Sequence, residues 1–76
     1  MDPVRIDARG MRCPWPALRA AKAMREADRV IIRADDPNAA RELAALASGG
    51  WRLTDIADPQ GPCFLLERKN IVKTVL

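Results

Sequence analysis

Two prolines separated by one residue, Pro14 and Pro16, set the strictest local condition on how this chain folds. Proline lacks a backbone N–H, and inside a helix its ring clashes with the preceding turn. A helix can start at this pair but cannot run through it. The segment beyond it, Ala17 to Glu26, is alanine-rich and free of β-branched residues, with Leu18, Ala21 and Met24 at helical spacing. A first helix is therefore expected over residues 17–26. Cys13 then takes the N-cap position, with Pro14 at N1 and Pro16 at N3, where the amides have no intrahelical partner.

The same reasoning orders the rest of the chain. Val4 and Ile6 alternate with Arg5 and Asp7, which predicts a strand over 4–7. Gly10 allows a positive φ in the loop that follows. Arg29 to Arg33 reads as a buried strand. Asp36 is expected to cap a second helix with Pro37 at N1, running to about Ser48 and burying Ala40, Leu43, Ala44 and Ala47. Gly49-Gly50 ends it. Trp51 to Ala57 forms a third strand, residues 58–62 a turn cluster, and Cys63 to Arg68 a fourth strand. The order β-α-β-α-β-β predicts an α/β (α+β) two-layer sandwich with a mixed four-stranded sheet. Right-handed crossovers put both helices on one face. Strands one to three run parallel and the final hairpin reverses strand four. Arg33, Thr54 and Arg68 are candidates for the uncovered face. Residues 1–69 form one domain, and 70–76 a tail or strand extension.

Composition narrows the chemistry. At 76 residues the chain buries only about 60–65% of its unfolded surface. Its core must be aliphatic and alanine-rich, because 49% of residues are hydrophobic but only 4% aromatic. It has two cysteines and no histidine, so two thiols with no imidazole cannot make a four-ligand zinc site of their own, and it lacks the commonest general base. No metal and no cofactor are expected. The net charge of +3 is mild and compatible with an acidic protein or RNA. The N-terminus shows no signal-peptide pattern, and the longest apolar run, Leu43 to Ala47, is far too short for a bilayer. A cytoplasmic location with reduced thiols and no membrane partner is expected.

Cys13 is the residue these constraints single out. At a helix N-terminus, with Arg12 and Arg9 close in sequence, a thiolate is favoured by the dipole and by cations, so its pKa is expected below that of a free cysteine. The prolines remove two first-turn amides and leave Trp15 and Ala17 as donors. Pro14 also blocks cyclisation of an oxidised sulfur onto the next nitrogen. A stiff, exposed turn suits a sulfur presented to other proteins. The alternative is a small apolar residue closing the helix end.

The segment Ile6-Asp7-Ala8-Arg9-Gly10-Met11-Arg12-Cys13-Pro14-Trp15-Pro16, then a helix, a strand and Ala34-Asp35-Asp36-Pro37, resembles the TusA/SirA-like sulfur-carrier family. Arg41-Glu42-Leu43 matches an acidic and aliphatic pair in that family's second helix, and the likeness covers residues 5–68. It implies a persulfide on Cys13. The sulfur would come from a cysteine desulfurase or other sulfurtransferase and go to an acceptor in tRNA thiolation, cofactor synthesis or sulfur metabolism. It implies positioning roles for Gly10, Pro14, Pro16, Asp36 and Pro37. Such a transfer needs an accessible thiolate and a partner thiol, not a local general base. The chain departs from the family at Trp51, where a histidine is usual, in the short turn at Ala27-Asp28 and in the tail from Ile71.

Other groups carry weaker readings. Asp35 and Asp36 read as strand end and helix cap rather than an acid–base pair. Cys63 reads as buried packing. If the sheet order follows the family (1-2-4-3), Cys63 lies about 9–10 Å from strand one, beyond disulfide reach. Arg19, Lys22 and Arg25 form a basic stripe on helix one that fits an acidic protein or RNA, or an ordinary solvated face. With Arg9, Arg12 and an exposed Trp15 they make the candidate partner-binding set. Trp51 is expected in the core. A non-catalytic regulatory or RNA-binding module using this basic face is the second reading. A redox protein is disfavoured because no Cys-x-x-Cys pair exists.

Overall fold

A computed structural model describes residues 2–69, so the expectation for 70–76 lies outside the described residues. The elements are β1 (Val4–Asp7), α1 (Trp15–Met24), β2 (Arg29–Arg33), α2 (Ala39–Ala47), β3 (Trp51–Ile56) and β4 (Cys63–Arg68). All four strands lie where the apolar patterning puts them, with β3 one residue shorter than expected.

The sheet order is β1-β2-β4-β3. β1 and β2 pair in parallel, with Ile6 opposite Ile32, and β4 runs antiparallel to both its neighbours. Strands one to three thus share a direction, as the two βα units require. Ile6, Val30, Ile32, Phe64 and Leu66 face the helices and form the core with Leu43, Ala20, Ala23 and Met24. Arg5, Ile31, Arg33, Leu65, Arg52 and Thr54 alternate onto the uncovered face. Arg68 does not join them. It shares the helix-side parity of Leu66, stacks 4.6 Å over the half-buried Trp51, bonds Asp28 at 2.8 Å and reaches the Met24 carbonyl at 3.3 Å.

Both helices begin elsewhere than expected, for one reason: a tight turn precedes each. The Trp15 amide donates to the Arg12 carbonyl at 2.9 Å, so Pro14 is the N-cap and Pro16 the second helical residue. The Ala39 amide donates to the Asp36 carbonyl at 2.9 Å, so Asn38, not Asp36, is the N-cap of α2. The buried stripes differ too. α1 buries Pro16, Ala17, Ala20, Ala23 and Met24, while Leu18 is 51% exposed. α2 buries Ala39, Leu43 and Ala47, while Ala40 and Ala44 face out. Alanine surrounds both helices, so spacing alone did not choose between adjacent stripes. No helix among the described residues is long and apolar enough to cross a membrane.

On the uncovered face Arg33 pairs with Asp58 in the β3–β4 turn. The Gln60 amide, then the Arg33 guanidinium, hold the Asp58 carboxyl below its ordinary range. A carboxyl with a depressed folded pKa stabilises the fold above its unfolded pKa and loses that contribution as pH falls through the folded one. The urea midpoint should therefore fall on acidification below about pH 4. Asp58→Asn should lower the midpoint at neutral pH and make this acid decline shallower. An unchanged acid limb would show that Asp58 does not contribute to it.

Candidate functional site

The site forms where the carboxyl ends of β1 and β2 meet the starts of α1 and α2. Past β1, the Ala8 amide donates to the Arg33 carbonyl at 2.8 Å and the Met11 amide to the Ala8 carbonyl at 3.1 Å. Gly10 takes φ 83°, a conformation side chains disfavour. Its amide donates to Asp35 Oδ1 at 3.0 Å. The Cys13 amide donates to Asp36 Oδ2 at 3.2 Å, while Asp36 Oδ1 accepts from the Asn38 amide at 2.8 Å. Asp35 and Asp36 are thus two clips on the thiol loop, and Asp36 joins that loop to the start of α2.

Cys13 is free and half-buried, next to the N-cap Pro14 and one residue outside the position expected for it. The Cys13–Pro14 peptide is cis. The thiol's pKa is not lowered but pushed up to about 11. The Glu42 carboxylate is the largest cause. Partial burial and the charges of Glu42 and Asp36 add to it, against a smaller opposing effect of Arg41. The cations expected to activate the sulfur are not among the largest influences on it. Arg9 bonds Asp7 through two nitrogens at 2.8 Å, which holds the Asp7 carboxyl far below its usual range and raises Arg9 in turn. Arg12 is exposed and is not among the groups that move Cys13. The Trp15 amide, expected as a free donor, is taken by Arg12.

Trp15 is 60% exposed, and Leu18 one turn later lies beside it on the outer surface of α1. Arg19, Lys22 and Arg25 are exposed along the same helix, and Arg19 Nη1 approaches Met11 Sδ at 3.8 Å. Pro16 is buried under the helix start, whereas Pro14 and Pro37 are exposed. Cys63 is buried at the same sheet end, opposite Arg33 and Ile56, and lines a cavity of about 430 Å³ with Asp36, Asp55 and Phe64. Among the described residues no group of three or more potential ligands is placed to hold a metal ion.

Two residues have a different place here from the one read in the sequence: Glu42 entered only as part of the Arg41-Glu42-Leu43 match, and Leu18 as a member of the helix-one stripe, yet Leu18 is exposed. Glu42 precedes the buried Leu43 by one position, which sets it on the flank of α2. The signal was there, but only knowledge of what stands beside that flank makes it useful. Residues 4–64 of the chain match a family model described as sulfurtransferase TusA.

Proposed function

Because this chain belongs to the TusA sulfurtransferase family, we propose that Cys13 carries sulfur as a persulfide. It takes the sulfur from a cysteine desulfurase or another sulfurtransferase and hands it to an acceptor thiol on a second protein. The observation that carries this reading is the contrast between the two thiols. Cys13 stands half-exposed on a loop clipped by Asp35 and Asp36, while Cys63 is 3% exposed in the sheet.

In this reading Trp15 and Leu18 form the apolar centre of the docking face, next to the reacting sulfur. Arg12, Arg19, Lys22 and Arg25 are its basic rim, suited to a partner with acidic groups around an apolar patch. Small size then has a use, since the whole edge around Cys13 fits against a larger enzyme. The relay operates in the reducing cytoplasm, where a free thiol persists.

The test is intact mass after incubation with a cysteine desulfurase and cysteine, or with thiosulfate and a rhodanese-type sulfurtransferase. The native chain and Cys63→Ala should each gain one sulfur atom that a reductant removes. Cys13→Ser should gain none. Loading that persists in Cys13→Ser, or no loading of the native chain from either donor, overturns the assignment. The second outcome would favour an interaction module acting through the basic face of α1.

A further inference from the structure

We propose that Asp35 is a positioning residue for sulfur transfer, one that orients Cys13 by holding the backbone of the loop that presents it. This inference rests on the reading of Cys13 as the sulfur carrier. Both sulfurs of such a transfer ride on proteins. The reacting atoms therefore line up only if the loop between β1 and α1 keeps one shape.

The loop leaves β1 at Asp7 and enters α1 at Trp15. Backbone bonds fasten its two ends, from the Ala8 amide to the Arg33 carbonyl at 2.8 Å and from the Trp15 amide to the Arg12 carbonyl at 2.9 Å. Between them stands Gly10 at φ 83°, three residues before Cys13. A Cβ there would meet no atom within 4 Å, so glycine is needed for its backbone and not for room. Glycine visits positive and negative φ with similar ease, which makes this the softest point of the loop. The Gly10 amide is the one that donates to Asp35 Oδ1, at 3.0 Å. Asp35 reaches it from a firm base: the preceding Ala34 is 1% exposed, and its amide donates to the Pro62 carbonyl at 3.3 Å. Asp36 holds the Cys13 end of the loop, but it also holds the Asn38 amide at the start of α2. Asp35 makes no other side-chain hydrogen bond and no ion pair among the described residues. It is exposed and adds nothing to the core, so the shape of the loop is what its bond fixes.

Transfer from a protein cysteine persulfide is a displacement at sulfur. Cys13, having given its proton to solvent, attacks the outer sulfur of the donor. The Sγ–S bond forms as the donor's S–S bond breaks, and the electron pair stays on the donor cysteine sulfur, which takes up a proton from solvent. The attack is in line with the breaking bond, so the direction in which Sγ points sets the rate once the partner is docked. A small alkylating reagent makes no such demand, because it tumbles freely around the thiol. Asp35 is also not among the charges with the largest effect on the sulfur, so its removal should leave the titration of the thiol in place.

Asp35→Ala should load sulfur from a cysteine desulfurase persulfide about 10 times more slowly at saturation, with KM for the desulfurase within about twofold of native. Its alkylation by iodoacetamide should keep the native rate and pH profile within about twofold. Asp35→Asn keeps an oxygen that accepts from the Gly10 amide and should recover most of the lost rate. Gly10→Ala disturbs the same bond from its donor side, by disfavouring the positive φ, and should slow loading in the same pattern. Loading of Asp35→Ala at the native rate overturns the proposal. So does equal slowing in Asp35→Asn, which makes the charge and not the bond the cause. Alkylation that changes in step with loading, or a loss confined to KM, also overturns it, because the chemistry of the thiol or the docking is then at fault. A urea midpoint that falls along with the loading rate points to a structural role and overturns it too. A native chain that loads from no donor fails at the earlier step, the assignment of Cys13 as carrier, and takes this proposal with it.

Discussion

Leu43→Ala should lower the unfolding free energy by about 3–4 kcal/mol, seen as a reduced urea midpoint in a circular dichroism titration. Leu43 is fully buried in α2 and belongs to the cluster that joins both helices to Val30, Ile32 and Leu66. Much of the remaining helix surface in that cluster is alanine, from Ala20, Ala23, Ala39 and Ala47. Alanines cannot swing into a vacated volume, so the cavity left by truncation collapses little. A domain of this size holds only ~4–11 kcal/mol in total, and one residue would then carry about a quarter or more of it. Ala44→Ser, at an exposed position of the same helix, should move the midpoint little. Equal effects at the two positions would contradict the observed orientation of α2.

Cys13 should be a slow thiol in the free protein. With its pKa pushed up to about 11, the thiolate population at neutral pH is small. Against an unperturbed cysteine, whose pKa is about 8.5, the loss of thiolate outweighs the gain in nucleophilicity, leaving alkylation at pH 7.5 roughly twentyfold slower. The rate should rise with pH through 8, 9 and 10 (about tenfold per unit) and level off only above that. The direction follows from the charges: the carboxylates of Glu42 and Asp36 oppose a second negative charge on sulfur, so deprotonation is deferred to higher pH. A plateau near pH 7, as a helix-dipole-activated thiolate would give, would show that Glu42 does not govern the sulfur. In the proposed carrier role the thiol would resist stray oxidants and electrophiles when alone and react when a partner's persulfide is brought to it.

Much of the fold was legible because its signals are local. Strand alternation appears in four to six consecutive residues, and β2 and β4 run over the expected spans from Arg29 to Arg33 and from Cys63 to Arg68. Helix starts were less legible. A turn closed by the Arg12 carbonyl, or by the Asp36 carbonyl, competes with the cap for the same amides, and the difference is one hydrogen bond. The buried faces were misjudged where alanine dominates, since an alanine stripe reads the same from every side. The candidate site divides in the same way. Cys13, Gly10, Pro16 and Trp15 stand out by residue type and spacing. Glu42 and Leu18 matter only through their neighbours in space.

By itself the sequence determined the strand–helix order, the turn presenting one cysteine and the lack of a histidine base, because proline, glycine and apolar period act over a few residues. Only the tertiary structure decided the electrical character of that cysteine. Arg12 and Arg9 are near it in the chain, but Glu42 and Asp36, opposed by Arg41, are the charges with the largest effect on the sulfur. Electrostatic interaction depends on distance through space, and the packing of α1 against α2, with Asp36 tying the loop to both, sets that distance.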